Sequence, residues 1–491
     1  MSLTDRLPRG ILFWLVAALV AGAHAIVLWQ SLVVNRLWED EAFNLTVPLN
    51  LLRGLGYASD GTLSGSEITP FDPRISTGPV VLAPIAAVLA LGADPVVGAR
   101  LVPAAFWIAL LIAVALLGRR VGGRWAALVA LTVPLALQTA VPVSPIQGPA
   151  DILGEIPAAA LCAWALVVLH RRPWLAGLLL GLAVQAKYIS LLFVPAFAVA
   201  LWLQTPGAPW RERVRRALTP AAWVLAPTLL VELAAFISLG PAEFAAHVRR
   251  TAGFVISGGQ DYQGTTVIEK LVTLFGSWYL PGWAAVAVTV TAALVLIAAA
   301  LRVRRVPQRL DEIIVRDRLA TRSELAGLGA AAVVGLAAFV GWWSFASQTP
   351  LWIRHPSPAL FALVPVLVAF VVLALRVLGR AASIVGGAGL AILLAVQVQS
   401  HVAQAVTVAW EDLPAQRAVA ADVAELGHPH YAAAWGGPVS IVVLSGAHVG
   451  LWDAGEAVDG WPRMLHPGDP RCMPPSEQFG NYVVCAPDSM P

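Results

Sequence analysis

One cluster of acidic residues lies where it could support chemistry. Glu39, Asp40 and Glu41 follow Trp38, directly after the first long apolar segment of the chain. They should therefore lie where a membrane helix meets water. A carboxylate in such a place can take the proton of an attacking hydroxyl. Cations or N–H donors must then hold the negative charge that grows on the leaving group.

Residues that could complete such a site stand in four short stretches between or beside apolar runs. They are Arg53 and Tyr57, Asp151 and Glu155, Lys187, and Arg354 with His355. Ionisable groups near membrane depth are costly and are therefore functional candidates. An arginine can grip a phosphate through two parallel N–H bonds. In the topology predicted below, these acidic and cationic groups collect at the outer ends of the helices.

Structural roles are open for several of these residues. Asp40 could cap a helix running from about Glu41 to Leu52, and Asp151 could cap a later one. Lys187 could extend its ammonium to the lipid headgroups. Glu232 is the one acid predicted inside a span, where it could join two helices or line a substrate cavity.

The composition excludes an ordinary soluble protein. Hydrophobic residues make up 58% of the chain and charged residues 12%, against about 25% charged in soluble domains. Mean hydropathy is +0.75, and apolar runs near the ~20 residues of a membrane span recur. The sequence contains no phosphate-binding P-loop or dinucleotide fingerprint. It has no zinc-ligand spacing either. We predict an all-α polytopic membrane protein that does not use a nucleotide-linked substrate.

Eleven membrane spans are predicted. They are residues 11–34, 97–118, 125–141, 156–170, 174–186, 189–203, 218–239, 283–301, 325–345, 358–375 and 382–399. The segment 77–92 is too short to cross, so we expect it to lie along the outer surface. With that choice, most Lys and Arg residues fall in short inner loops, as the positive-inside rule requires. The N-terminus is then cytoplasmic, the C-terminus is extracytoplasmic, and the loop 35–96 holds two juxtamembrane pieces.

The chain is expected to divide into a membrane domain, residues 1–400, and a soluble extracytoplasmic domain, residues 401–491. The second domain should be a small α+β unit with a helix at Arg417–Leu426 and a strand at Val439–Leu444. Cys472 and Cys485 could pair outside the cytoplasm, whereas Cys162 lies in an apolar run and suits packing.

Three motifs resemble those of a known family. They are Trp38-Glu39-Asp40-Glu41, Arg53-Gly54-Leu55-Gly56-Tyr57 and Thr77-Gly78-Pro79. Together they resemble the first external loop of the GT-C superfamily, the polytopic glycosyltransferases that use polyprenyl-phosphate sugars. The nearest likeness is to the branch of protein O-mannosyltransferases and lipid A aminoarabinose transferases. The resemblance covers about the first two hundred residues and one short motif near Arg354.

The resemblance implies roles for individual residues. Asp40 would be the catalytic base, and Glu41 would orient a neighbour or bind substrate. Lys187 closes a Gly-Leu-x-x-x-x-Lys element and would bind the donor phosphate together with Arg354. His355 stands where the family has Tyr, so its role is open. Arg53, Tyr57, Asp151 and Glu155 would contact acceptor or substrate.

The resemblance also implies an activity. The chain would transfer a sugar, with inversion, from a polyprenyl-phosphate donor to a glycan, lipid or protein acceptor on the outer face of a cytoplasmic membrane. No cofactor is certain, a divalent metal is open, and no nucleic-acid partner is expected. A transporter or flippase of lipid-linked sugars is the alternative, although it would more typically show internal repeats and charges at the bilayer midplane.

Overall fold

The computed structural model describes residues 9–60, 77–138, 146–256, 264–346, 349–407, 411–452 and 458–487. The first half contains helices α1 Arg9–Trp29, α2 Glu39–Leu52, α3 Pro79–Ala90, α4 Pro95–Gly122, α5 Arg124–Thr132, α6 Glu155–Val168, α7 Pro173–Ala186, α8 Val194–Leu203 and α9 Trp210–Ile256. The second half contains α10 Val267–Gly276, α11 Gly282–Arg305, α12 Gln308–Asp317, α13 Arg322–Phe345, α14 Ser357–Leu378, α15 Arg380–Ala405, α16 Leu413–Glu425 and α17 Gly437–Leu444.

The chain is a multi-pass membrane protein. Within the described residues, seven helices are long and apolar enough to cross a bilayer, namely those in 10–34, 95–122, 210–249, 282–305, 322–345, 357–378 and 380–405. The other four predicted spans coincide with shorter apolar helices. The predicted juxtamembrane pieces are also helical, as α2 and α3. The latter has only 12 residues, which at about 1.5 Å per residue is too short to cross a bilayer core.

Helices α7 and α9 pack in a regular register because α7 carries two glycines four residues apart. A Cβ at Gly177 would lie 2.2 Å from the Pro220 carbonyl oxygen, and one at Gly181 would lie 2.4 Å from that of Val224. Small residues at this spacing let two membrane helices approach closely. The two helices therefore run parallel, side by side.

The basic loops predicted to be cytoplasmic gather at one end of the helix bundle. Arg120 donates to the Val167 carbonyl, Arg376 donates to that of Gly122, and the Ala320 N–H donates to Arg120. The first external loop contacts the opposite end of α4, where Arg100 bonds to Glu41. This separation agrees with the predicted topology. Which end faces the cytoplasm stays a prediction.

The C-terminal region forms a five-stranded mixed sheet in the order β2-β1-β3-β5-β4. The strands are β1 His430–Ala433, β2 His448–Leu451, β3 Arg463–Leu465, β4 Ser476–Phe479 and β5 Tyr482–Cys485. Cys472 and Cys485 form a disulfide with a Cα–Cα distance of 5.4 Å. The α+β architecture is as predicted, whereas the domain boundary at residue 401 lies inside α15 and stays a prediction.

The predicted strand Val439–Leu444 is wrong, because these residues belong to α17. A short run of β-branched residues reads alike as a buried strand or a buried helix. Here the run packs against α2 and α16 with nearly every residue buried. Gly436, at a φ of 121°, and Pro438 in the first turn direct the chain into a helix. The predicted helix at Arg417–Leu426 is confirmed as the second part of α16, which ends at Glu425 with Leu426 as its cap.

The C-terminal region docks tightly on the first external loop. The side-chain oxygen of Gln416 accepts from the Leu37 N–H at 2.7 Å, and its amide nitrogen donates to the Leu37 carbonyl at 3.0 Å. The Asp60 carboxylate accepts from the Val449 N–H at 2.9 Å. Arg417 pairs with Asp94 at 2.5 Å. Of these contacts, the two Gln416 bonds hold Leu37, the residue that leads into α2 and its acidic cluster.

Candidate active site

The acidic cluster forms the first turn of α2. The cap of this helix is the extended residue Trp38, whose side chain makes no capping bond, so the capping role considered for Asp40 is excluded. The carboxylate of Asp40 instead pairs with Nη1 of Arg354 at 2.7 Å, with side-chain exposures of 22% and 8%. Acids at a helix N-terminus are also favoured by its dipole. Asp40 is therefore a partly open carboxylate held beside a cation.

Arg354 is presented by the loop between α13 and α14. Its guanidinium carbon lies 4.2 Å from the centroid of the Trp352 ring, a cation–π contact. One Nη donates to Asp40, whereas its Nε–H is buried and meets no acceptor among the described residues. A buried N–H without an acceptor costs free energy. The Nε–H of Arg354 can therefore donate to an anionic oxygen of a bound ligand.

The same loop is held at its base by Lys270, which the sequence did not single out. Its ammonium is fully buried and donates to the carbonyls of Trp343 and Ala346, at 2.5 and 2.6 Å, and to the Thr349 hydroxyl at 2.7 Å. Burial lowers the pKa of Lys270 to about 8. These bonds tie α10 to the segment that leads to Arg354.

Lys187 stands at the break after α7 and pairs with Glu155, the first residue of α6, at 2.9 Å. Both side chains are nearly fully buried. Burial lowers the pKa of Lys187; the Arg354 charge also lowers it, while Glu155 and Asp40 oppose the shift. These four residues therefore form one electrostatic cluster, which the structure builds from four separate stretches of sequence.

Glycines allow the backbones to meet behind this cluster. A Cβ at Gly154 would lie 2.2 Å from the Ala186 carbonyl oxygen, and one at Gly78 would lie 1.9 Å from that of Gln185. The Gly78 N–H donates to Ala186 at 3.0 Å. The Thr77-Gly78 motif thus positions the residue before Lys187.

Glu41 belongs to a second, fully buried cluster. It accepts two bonds from Arg100, at 2.6 and 3.0 Å, and a third from the Ile152 N–H at 3.0 Å. Asp151 lies close enough for its charge to interact with both Glu41 and Arg100. Burial, together with the negative charge of Glu41, raises the pKa of Asp151 well above its usual value. Arg100 is thus the cation that balances these acids.

The remaining predicted residues lie around the two clusters. Asp151 precedes α6 and accepts from the Gln147 N–H at 2.6 Å, so it neither caps that helix nor shares a helical face with Glu155. Burial raises the pKa of Tyr57, and the charge of Tyr188, the residue after Lys187, adds to the shift. Arg53 is exposed and donates to the Gly446 carbonyl at 3.0 Å. Asp72 and Arg74, an acidic and a basic residue that the sequence also places in the first external loop, lie outside the described residues.

His355 is packed between two tryptophans. Its ring stacks on Trp352 at a centroid distance of 6.1 Å and meets Trp342 edge-on at 6.4 Å. The residue as a whole is partly exposed, whereas the Nε2 atom of its ring is buried and has no partner among the described residues. Burial lowers the pKa of His355 well below its usual value, and the charges of Arg354 and Lys187 lower it further.

Arg100 is the main site residue that the sequence analysis missed. An arginine within the apolar run 95–122 is itself a signal, because such a charge needs a buried partner. Among the described residues, no group of three or more His, Cys, Asp or Glu side chains is arranged to hold a metal ion. The carboxylate of Glu41 is already balanced by the guanidinium of Arg100.

Comparisons with solved structures give the fold a name. The chain aligns with ArnT from Cupriavidus metallidurans bound to undecaprenyl phosphate over 96% of its own length and 97% of that protein, with a TM-score of 0.57 and 12% identity. The apo state of the same protein aligns over the same shares with a TM-score of 0.54. The chain has the GT-C fold.

One further solved structure resembles the chain, and two sequence comparisons found no match. The oligosaccharyltransferase of Archaeoglobus fulgidus is also similar, at a TM-score of 0.49 and 13% identity over 89% of this chain and 62% of that one. No protein-family model and no curated protein sequence matches the chain. The likeness to ArnT therefore establishes the GT-C fold, and the function has to be argued from the site.

Proposed function

We propose that this protein transfers a sugar from a polyprenyl-phosphate donor to a hydroxyl acceptor of the cell envelope. The observation that carries the proposal is the cluster of Asp40, Arg354, Lys187 and Glu155, two acids and two cations brought together in a GT-C fold. A structure of ArnT, which has the same fold, is described as bound to undecaprenyl phosphate. The cluster offers a base and a phosphate site side by side.

The two cations suit the donor phosphate. Arg354 has a buried Nε–H without an acceptor among the described residues, and the charge of Lys187 acts on it from close by. Charge-assisted bonds of this kind strengthen as negative charge grows on the leaving group. Arg354 and Lys187 would therefore stabilise the transition state more than the ground state.

Asp40 suits the role of base. In the proposed step, Asp40 takes the proton of the acceptor hydroxyl while that oxygen bonds to the anomeric carbon. The bond from this carbon to the phosphate oxygen breaks, and polyprenyl phosphate leaves with the electron pair. Attack from the face opposite the phosphate inverts the anomeric configuration.

The Asp40–Arg354 pair couples this step to donor binding. While Asp40 is bonded to the guanidinium, its Oδ2 atom is engaged and is not free to take a proton. A donor phosphate competes for the same guanidinium and thereby loosens its hold on Asp40. The base then becomes effective when the donor is in place.

Asp40→Asn tests the proposal, with Glu39→Gln as the matched control one residue earlier on the same turn. Both variants and the wild type are reconstituted with radiolabelled undecaprenyl-phosphate sugars and acceptor-containing membranes, and binding of undecaprenyl phosphate is measured in parallel. Because general-base catalysis contributes roughly 10²–10⁴ in rate, transfer should fall about 100-fold or more in the Asp40 variant, with lipid binding retained. The control should transfer normally.

Two results would contradict the proposal. Undiminished transfer by the Asp40 variant would remove Asp40 as the base. Transport of the lipid-linked sugar across the vesicle membrane, without transfer by the wild type, would favour a flippase instead.

A further inference from the structure

The strongest unassigned feature is Glu232, an acid in the membrane helix α9. The position of Glu232 relative to α7 follows from the register in which α7 and α9 pack. Gly177 packs on Pro220, Gly181 on Val224, and Gln185 donates to the Thr228 hydroxyl at 2.9 Å. Each step moves four residues along both helices. The next position on this stripe of α9 is Glu232.

At that position the neighbouring helix has ended. Helix α7 stops at Ala186, and the chain turns through Lys187 into a short segment beginning at Tyr188. Glu232 therefore extends beyond the packed α7–α9 seam, toward the turn that carries Lys187. Its charge interacts with the Tyr188 hydroxyl, and Tyr188 in turn interacts with Tyr57 of the first loop.

A sharp bend in α9 provides Glu232 with a partner. Gly240 adopts a φ of 74°, which favours glycine, and Pro241 follows it. His247 Nε2 lies 3.5 Å from the Glu232 carboxylate. In a continuous helix these residues would be about 22 Å apart along the axis, so the segment after Gly240 must fold back. His247 is buried, whereas the Glu232 side chain is 26% exposed.

The Glu232 side chain is more exposed than that of His247, and this difference bears on what the Glu232–His247 pair can do. A contact serving only to join two helix segments would be expected to bury both members. Here the imidazole lies against the carboxylate, the Glu232 side chain stays 26% exposed, and its charge interacts with Tyr188, the residue after Lys187. An open carboxylate at membrane depth is costly unless it binds donor groups. Sugar hydroxyl and ammonium groups are such donors.

We infer that Glu232, positioned by His247 across the Gly240 bend, binds a hydroxyl or ammonium group of the sugar carried by the donor. This inference rests on the proposed function, because it assigns the sugar end of the same substrate. In this arrangement Arg354 and Lys187 bind the phosphate, and Glu232 contacts the sugar attached to it. It acts as a specificity-determining residue, not as the base.

The test compares Glu232→Gln with Glu243→Gln, an exposed acid on the folded-back segment of the same helix. Purified wild type and variants are titrated with undecaprenyl phosphate and with undecaprenyl-phosphate sugars bearing a hexose, a pentose or an amino sugar. We expect wild type to bind at least one sugar-bearing lipid more tightly than undecaprenyl phosphate. Glu232→Gln should weaken that binding about tenfold or more and leave undecaprenyl phosphate unchanged. Glu243→Gln should match wild type.

Other outcomes overturn the inference in distinguishable ways. Equal weakening of both lipids in Glu232→Gln, with a lower unfolding temperature, would mean that Glu232 only joins the two helix segments. Unchanged binding of every lipid would mean that it does not touch the sugar. If wild type binds none of these lipids, the proposed function itself fails, and this inference fails with it.

Glu232→Asp gives a second measure should Glu232→Gln fold poorly. It keeps the charge and shortens the side chain. We expect it to fold and to show a raised KM for the sugar-bearing donor with kcat little changed, because it loosens contact with the sugar and leaves the base in place. A fall in kcat with unchanged KM would contradict the assignment.

Discussion

Nη1 of Arg354 donates to Oδ2 of Asp40 at 2.7 Å, although 314 residues separate them in the chain. The bond joins the first turn of α2 to the loop before α14. It brings the proposed base and the proposed phosphate ligand into one contact. Each residue is therefore expected to influence the other.

Arg354→Lys should impair transfer although it keeps the positive charge. Lysine has no planar fork, so it cannot hold Asp40, stack on Trp352 and bind a phosphate oxygen together. We expect transfer to fall about 100-fold or more and undecaprenyl phosphate to bind more weakly. Arg417→Lys, at an exposed ion pair with Asp94, should leave both unchanged. Normal lipid binding by Arg354→Lys would contradict the phosphate role.

Breaking the buried Glu41–Arg100 pair should destabilise the fold. Glu41→Gln leaves the Arg100 charge buried without its carboxylate, which costs about 3–5 kcal/mol. The double variant Glu41→Gln/Arg100→Gln should lose less than the sum of its single changes. Equilibrium unfolding in mixed micelles measures the free energy of unfolding of each variant. Glu39→Gln removes a partly exposed pair with Arg36 and should cost less than about 1 kcal/mol.

Gln416→Ala should loosen the C-terminal region from the membrane helices. It leaves the N–H and carbonyl of Leu37 without their side-chain partner at a buried position, which costs about 1–3 kcal/mol. Limited proteolysis should release the C-terminal region faster, and transfer should fall because Leu37 leads into the turn of Asp40. Gln478→Ala, which removes only an exposed bond to Gly480, is the control. Equal proteolysis of both variants would contradict the docking role.

His355 should make stability fall in mild acid. Because the folded protein holds the pKa of His355 well below its usual value, the unfolded chain binds this proton first as the pH drops. The stability contributed by neutral His355 is present above pH ~6.5 and is lost below it, at up to about 1.4 kcal/mol per pH unit.

His355→Asn should therefore flatten the decline in unfolding temperature between pH 7 and pH 5. His428→Asn, a change at an exposed histidine, should follow the wild-type curve. A His355 variant with the wild-type slope would show that this histidine is not held neutral.

The order and type of the membrane helices followed from local sequence. Apolar runs near the length of a span mark helices because a bilayer leaves every backbone group to be satisfied within its own segment. The short, proline-bearing piece at 77–92 was accordingly separated from the spans. The same local argument failed at Val439–Leu444, because burial on all sides hides the periodicity that distinguishes a helix from a strand.

The membrane class, the helix order and the candidate residues Asp40, Lys187 and Arg354 were thus determined by the sequence alone, because composition and local motifs carry them. Only the tertiary structure decided their partners. It joined Asp40 to Arg354, Lys187 to Glu155, and Glu41 to Arg100. Pairing between distant side chains depends on which helices pack together and in which register, and spacing along one chain does not contain that information.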